Sequence, residues 1–182
     1  MPNHCSNNLI VTGPEQDLIK FWEAIDDKEQ PGQKRLAQLV PMPEELTGPD
    51  GGWYSWAIEN WGTKWGDYEH SVDIVGPDYL ELGYHTAWCP FEDQFWHKVS
   101  RMFPTLKFTV SYEESGMVFC GVDSYRNGET LASRYVNDYT EIIGTLEDWE
   151  DSEKWEEWQD RLTKLRENLS AAILIIEKVN GY

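Results

Sequence analysis

From Asn60 to Trp65 the chain reads Asn-Trp-Gly-Thr-Lys-Trp, one cation between two indoles with an amide and a hydroxyl beside it. Residues of these types recognise more readily than they react. An ammonium lies across an indole face, or meets a carbonyl or anion brought in by a partner, and Asn60 and Thr63 add further donors and acceptors. The blander alternative is packing: Trp53, Tyr54, Trp56, Ala57, Asn60 and Trp61 recur at helical spacing, and such stripes usually face a core over which a lysine stem can lie. Ten tryptophans in 182 residues is nevertheless a heavy load. Trp and Tyr recur at recognition surfaces because they bury large areas at small entropic cost. As the alternative to a protein partner, Trp61, Lys64, Trp65 and Trp88 would hold a small nucleotide-type ligand, with a base or sugar between indoles and a phosphate on the lysine.

Bond chemistry has fewer carriers. His4, His70, His85 and His97 fall in unrelated elements, and His97 is expected to form a surface pair with Asp93 one helical turn back. No phosphate-binding glycine loop, Gly-x-Ser-x-Gly elbow or His-Glu-x-x-His helix is present. Cys5, Cys89 and Cys120 are odd in number and widely spaced, which excludes a zinc pair, a redox Cys-x-x-Cys and an iron-sulfur ligand set. The expectation is a protein without catalytic residues, metal or cofactor.

Charge narrows the partners. Fifteen basic residues stand against 33 acidic ones, a formal net charge of −18. Such a field repels phosphate backbones, so direct nucleic-acid binding is not expected, whereas a partner protein with a basic surface is. Met1 to Cys5 shows no basic region followed by an apolar run, and Ala171 to Ile176 is too short to span a bilayer. Cytoplasmic residence and no membrane contact follow as expectations.

The elements that must position these residues can be read in order. Asn8 to Thr12 is a strand with Leu9 and Val11 on one face and Ile10 on the other. Pro14, Glu15 and Asp17 open a helix whose stripe is Leu18, Phe21, Trp22 and Ile25. Asp26 to Gln33 is polar and carries Pro31 and Gly32. Residues 34–66 form an insertion: Pro41 and Pro43 enforce extended chain, Gly48, Pro49, Gly51 and Gly52 form a loop, and a short aromatic helix then stops at Gly62. Ser71 to Val75 and Tyr79 to Thr86 pair around Gly76-Pro77-Asp78, with Leu80, Leu82 and Tyr84 on one face. Pro90 is expected at the first position of a helix with Phe91, Phe95, Val99, Met102 and Phe103 on its face. Phe108, Val110 and Tyr112 alternate in the next strand, and Met117 to Val122 pairs with it. Arg126-Asn127-Gly128-Glu129 is a hairpin turn before a strand over Leu131 to Tyr135.

This order predicts an α+β protein with a ferredoxin-like βαββαβ antiparallel sheet, helices on one face, the inserted aromatic helix-loop and a long C-terminal helix. Residues 1–125 make the ferredoxin-like domain and 126–182 the extension. From Leu146 the extension is helical and starts acidic, with Glu147, Asp148, Glu150, Asp151, Glu153, Glu156, Glu157 and Asp160. Trp155, Trp158, Leu162, Leu165, Leu169, Ala172, Ile176 and Val179 form a heptad seam, which serves either docking onto the chain's own domain or a homodimer.

Several segments, taken together, carry a resemblance. They are Pro2-Asn3-His4-Cys5-Ser6-Asn7 before the first strand, Pro41 to Leu46, Asn60 to Trp65, Thr86 to Pro90, and Gly116-Met117. The chain resembles the YubB-like family, phage- and plasmid-borne proteins described as having a ferredoxin-like domain. It departs from that pattern at His4, where the family usually has tryptophan, and at Cys89-Pro90-Phe91, where serine-proline-proline is usual. The resemblance implies the fold and a mobile-element origin, and adds Asn3 and Asn7 to the candidate binding residues. By analogy with proteins of that origin, an acidic inhibitor of a host defence factor is expected, with Glu153, Glu156 and Glu157 as its interface.

Overall fold

A computed structural model describes residues 3–30, 33–48, 51–145 and 152–182. Six strands form one sheet in the order β2-β3-β1-β4-β5-β6, with every neighbouring pair antiparallel. The strands are β1 (His4–Thr12), β2 (Tyr68–Val75), β3 (Tyr79–Ala87), β4 (Lys107–Glu114), β5 (Phe119–Arg126) and β6 (Glu129–Val136). The first four, with α1 (Glu15–Ala24) after β1 and α3 (Asp93–Met102) after β3, reproduce the ferredoxin-like plan. Between α1 and β2 lie two 3₁₀ turns, Leu36–Leu39 and Glu44–Leu46, and α2 (Trp53–Trp61). A short α4 (Thr140–Ile143) and the 29-residue α5 (Ser152–Asn180) complete the chain.

Alternation sorts the sheet into two faces. Leu9, Val11, Leu80, Leu82, Tyr84, Phe108, Val110 and Tyr112 all point to the face covered by α1 and α3, and all are buried. Phe21 of α1 meets Phe108 edge-on at 5.4 Å, and Trp96 of α3 stacks on Tyr125 of β5 at 5.9 Å. The α3 face differs from the sequence reading. The helix begins at Asp93, so Pro90 and Phe91 precede it, while Phe91 reaches the core from the loop and stacks on Phe95 at 4.1 Å. Met102, expected on the buried stripe, is exposed.

The long helix takes the opposite face, over β5 and β6. Trp158, Leu162, Leu165 and Ile173 are buried there, with Leu169 partly so, while Trp155 and Val179 are exposed. A heptad seam was the wrong period. A straight helix docked on a sheet repeats every 3.6 residues, and the drift against 3.5 turns Ile173 inward in place of Ala172, and Glu177 inward ahead of Val179. Glu177 is accommodated because Lys107 of β4 reaches it at 2.8 Å. The acidic start expected at residues 146–151, like Pro31, Gly32 and Pro49, lies outside the described residues. Among those described, no helix is long and apolar enough to cross a membrane.

Candidate functional site

One carboxylate ties the start of the insertion to the edge strand. Asp67, just ahead of β2, accepts the backbone N–H of Leu36 at 2.6 Å and of Ala37 at 2.7 Å, and His70 Nε2 contacts the same side chain. Two otherwise orphan amides at the start of the Leu36–Leu39 turn are thereby satisfied. Nearby, Asp26 bridges to Lys34, and Arg35 N donates to Ile25 O at 2.7 Å, so the polar excursion after α1 is closed into a loop against the edge strand. Between this loop and β2 lies a cleft of about 360 Å³ whose lining includes Gln30, Gln33, Arg35, Trp65, Tyr68 and Glu69 together with Asp27, Lys34, Gly66, Asp67 and His70.

The expected ring of indoles around Lys64 is only half formed. Gly62 ends α2 in the left-handed conformation at φ 79°, as its spacing implied, and sets Lys64 on a turn. Lys64 Nζ lies 4.9 Å from the centre of the Trp65 ring, but Trp61 turns into the core and donates from Nε1 to Val40 O at 2.9 Å. Thr63 is fully buried and donates to Ala87 O, and Asn7 is buried with its amide on Cys5 O and Thr86 Oγ1. Asn60 is spent on packing: it donates to Trp56 O and accepts from Lys98 across the α2–α3 contact. Asn3 accepts Trp88 N through its carbonyl. Trp88 is exposed, on the neighbouring turn and outside the cleft lining. Of these side chains Lys64, Trp65 and Trp88 still reach solvent, whereas Asn7, Trp61 and Thr63 are buried in the packing around the turn.

Two of the histidines meet, contrary to expectation. His4 on β1 and His85 on β3 have ring centres 5.8 Å apart, because Ser6 faces His85 in the register and His4 lies two residues along the same face. The Tyr68 hydroxyl is 3.0 Å from His4 Nδ1, and Glu69 Oε2 is 3.4 Å from His85 Nδ1. Glu69 sits at φ 51°, left-handed for a residue with a side chain, where the β2–β3 register shifts between Tyr68 and Ser71. A bulge of this kind re-aims side chains, and sequence gave no sign of it because no glycine marks the position. The expected His97–Asp93 pair does not form. His97 bonds Thr130 Oγ1 at 2.8 Å, and Asp93 accepts from the Tyr125 hydroxyl at 2.8 Å.

Nucleophiles are muted. Burial pushes the Cys89 thiol up to about 11 and Cys120 to about 11, and lifts Cys5 further, so none is a thiolate near neutrality. Among the described residues no three His, Cys, Asp or Glu side chains converge as metal donors. Burial also raises the Asp123 carboxyl above its ordinary range, with Asp93 adding to the rise. A carboxyl raised in the folded state binds its proton more tightly there than in the unfolded chain, so its contribution to stability falls as pH climbs past the usual carboxylate range. Asp123→Asn should remove that cost. Urea midpoints of the two proteins should separate in favour of the variant between pH 4 and pH 7; a separation that shrinks with rising pH would refute the assignment.

These elements define a ferredoxin-like α+β protein with a polar, aromatic-walled cleft at one edge of its sheet and an acidic helix on the other face. The profile of the family described as the ferredoxin-like domain in Api92-like protein matches residues 60–160, and the chain belongs to that family. It is 33% identical over 80 residues to the uncharacterized protein YubB of Escherichia coli strain K12, a match covering 43% of this chain. That match spans about half of YubB, 54% of its length. The crystal structure of a protein Api92 from Yersinia pseudotuberculosis superposes with a TM-score of 0.54 at 9% identity, over 75% of this chain and 98% of that one, a likeness of fold alone.

Proposed function

We propose that the chain is a non-enzymatic accessory protein of a phage or plasmid that binds a host protein in the cytoplasm, a defence factor with a basic surface, through the acidic start of α5. The observation that carries this reading is the placement of Glu153, Glu156 and Glu157. All three are exposed, on a helix whose other side is fixed to the sheet by Trp158, Leu162 and Leu165. Asp160 extends the exposed face, and Arg161 meets Glu157 at 3.6 Å. With a net charge of −18 behind it, such a face draws a basic partner faster than a neutral one.

The test is capture from host lysate by the tagged protein beside its E153K/E156K/E157K variant. Proteins retained by the native chain at low salt should be released as salt rises, and the variant should bind them roughly tenfold more slowly. Equal association rates for the two would remove the acidic helix from the interaction.

A second reading, a module that sequesters a small nucleotide-type ligand, is favoured by the cleft beside Trp65. Its size of about 360 Å³ is that of a small-molecule site.

A further inference from the structure

Among the described residues lining the cleft at the edge strand, Arg35 is a cation held by ion pairs alone, without a close side-chain hydrogen bond. Lys34 is committed: its Nζ lies 3.6 Å over the Trp22 ring, and it donates to Trp22 O and to Asp26. Asp67 is engaged by its two amides and His70, and Asp27 Oδ1 accepts the N–H of Glu29 and of Gln30. Arg35 differs. Its guanidinium is 45% exposed and stands 4.0 Å from both Asp27 and Glu29, long ion pairs beyond hydrogen-bond distance that orient it while leaving its N–H donors open to a closer acceptor. Beside it the Trp65 indole is 36% exposed, and Lys64 lies at 4.9 Å from that ring.

We infer that this cleft binds a nucleoside monophosphate, with the base against Trp65 and the phosphate on Arg35. The inference rests on the second reading above and changes the residues that carry it, from the Trp61–Trp65 pair to Trp65 with Arg35. A guanidinium fork matches phosphate oxygens two at a time at 2.7–2.9 Å and so outcompetes two distant carboxylates. The exposed amides of Gln30 and Gln33 and the carboxylate of Glu69, all on the lining, suit the amine, carbonyl and hydroxyl groups of a base and ribose. The net charge of −18 repels polyanions in proportion to their charge, which selects a ligand with a single phosphate over a nucleic acid.

Calorimetry with AMP, GMP, adenosine and inorganic phosphate, together with indole N–H spectra, decides the matter. AMP or GMP should bind and shift the Trp65 indole signal. Arg35→Gln should weaken the monophosphates about tenfold or more while leaving adenosine unchanged. Trp65→Leu should weaken nucleotide and nucleoside together, and neither variant should change the melting temperature, since both side chains stand partly in solvent. If a monophosphate binds with the same affinity in both variants, the cleft assignment falls and nucleotide binding lies elsewhere on the chain. If none of the four probes gives heat or an indole shift in the native protein, the ligand-binding reading falls with it.

Discussion

Trp158→Ala should cost about 3–5 kcal/mol of unfolding free energy, the range for removing a buried tryptophan. The side chain is 6% exposed, donates from Nε1 to Gly144 O at 3.0 Å, and packs edge-on against Tyr139 at 5.8 Å. Around it Cys120, Ile143, Leu162 and Leu165 form a small core separate from the one under α1 and α3. Deleting the indole opens the centre of that core and leaves the Gly144 carbonyl without its donor. In a protein of this length the melting temperature should fall by roughly 6–20 °C. Amides in the first half of α5 should exchange earlier than those of β1. A loss below about 0.5 kcal/mol, within the range of ordinary surface substitutions, would mean that the helix is not secured here.

Asp67→Ala is the second large effect, with an expected cost of about 2–4 kcal/mol. It strands two buried N–H groups and the His70 imidazole at once, and a lost partner for a buried donor costs more than an ordinary hydrogen bond contributes. Asp67→Asn keeps an acceptor and should lose less. Chemical denaturation of the three proteins gives the ranking. The alanine variant should also disturb the Trp65 indole signal, because the same carboxylate ties the loop to the strand that walls the cleft. Equal stability of Asp67→Ala and the native chain would show that the insertion is held by other contacts.

Much of the fold was legible because its signals are local. The alternation of Leu80, Leu82 and Tyr84, or of Phe108, Val110 and Tyr112, needs only a period of two, and Gly62 and Asn127-Gly128 stop their elements by conformation alone. The α5 stripe was read at the wrong period because Trp158, Leu162 and Leu165 fit 3.5 and 3.6 equally well; the two separate only at Ile173 and Glu177. The site was less legible. Arg35 and Trp65 lie thirty positions apart and are brought to one cleft by Asp67, whose role depends on amides it meets only after folding. The pairing of His4 with His85 follows from strand register, which no single segment encodes.

The position of β1 has a consequence for how the chain is made. It lies inside the sheet between β3 and β4, with Cys5 opposite both Thr86 and Glu114. Its two hydrogen-bonding edges are therefore both paired only after about a hundred further residues have left the ribosome, roughly 5–20 s at ordinary translation rates. During that interval the nascent β1 segment is a natural client for chaperones, and slower elongation across the β3 and β4 codons would lengthen the wait.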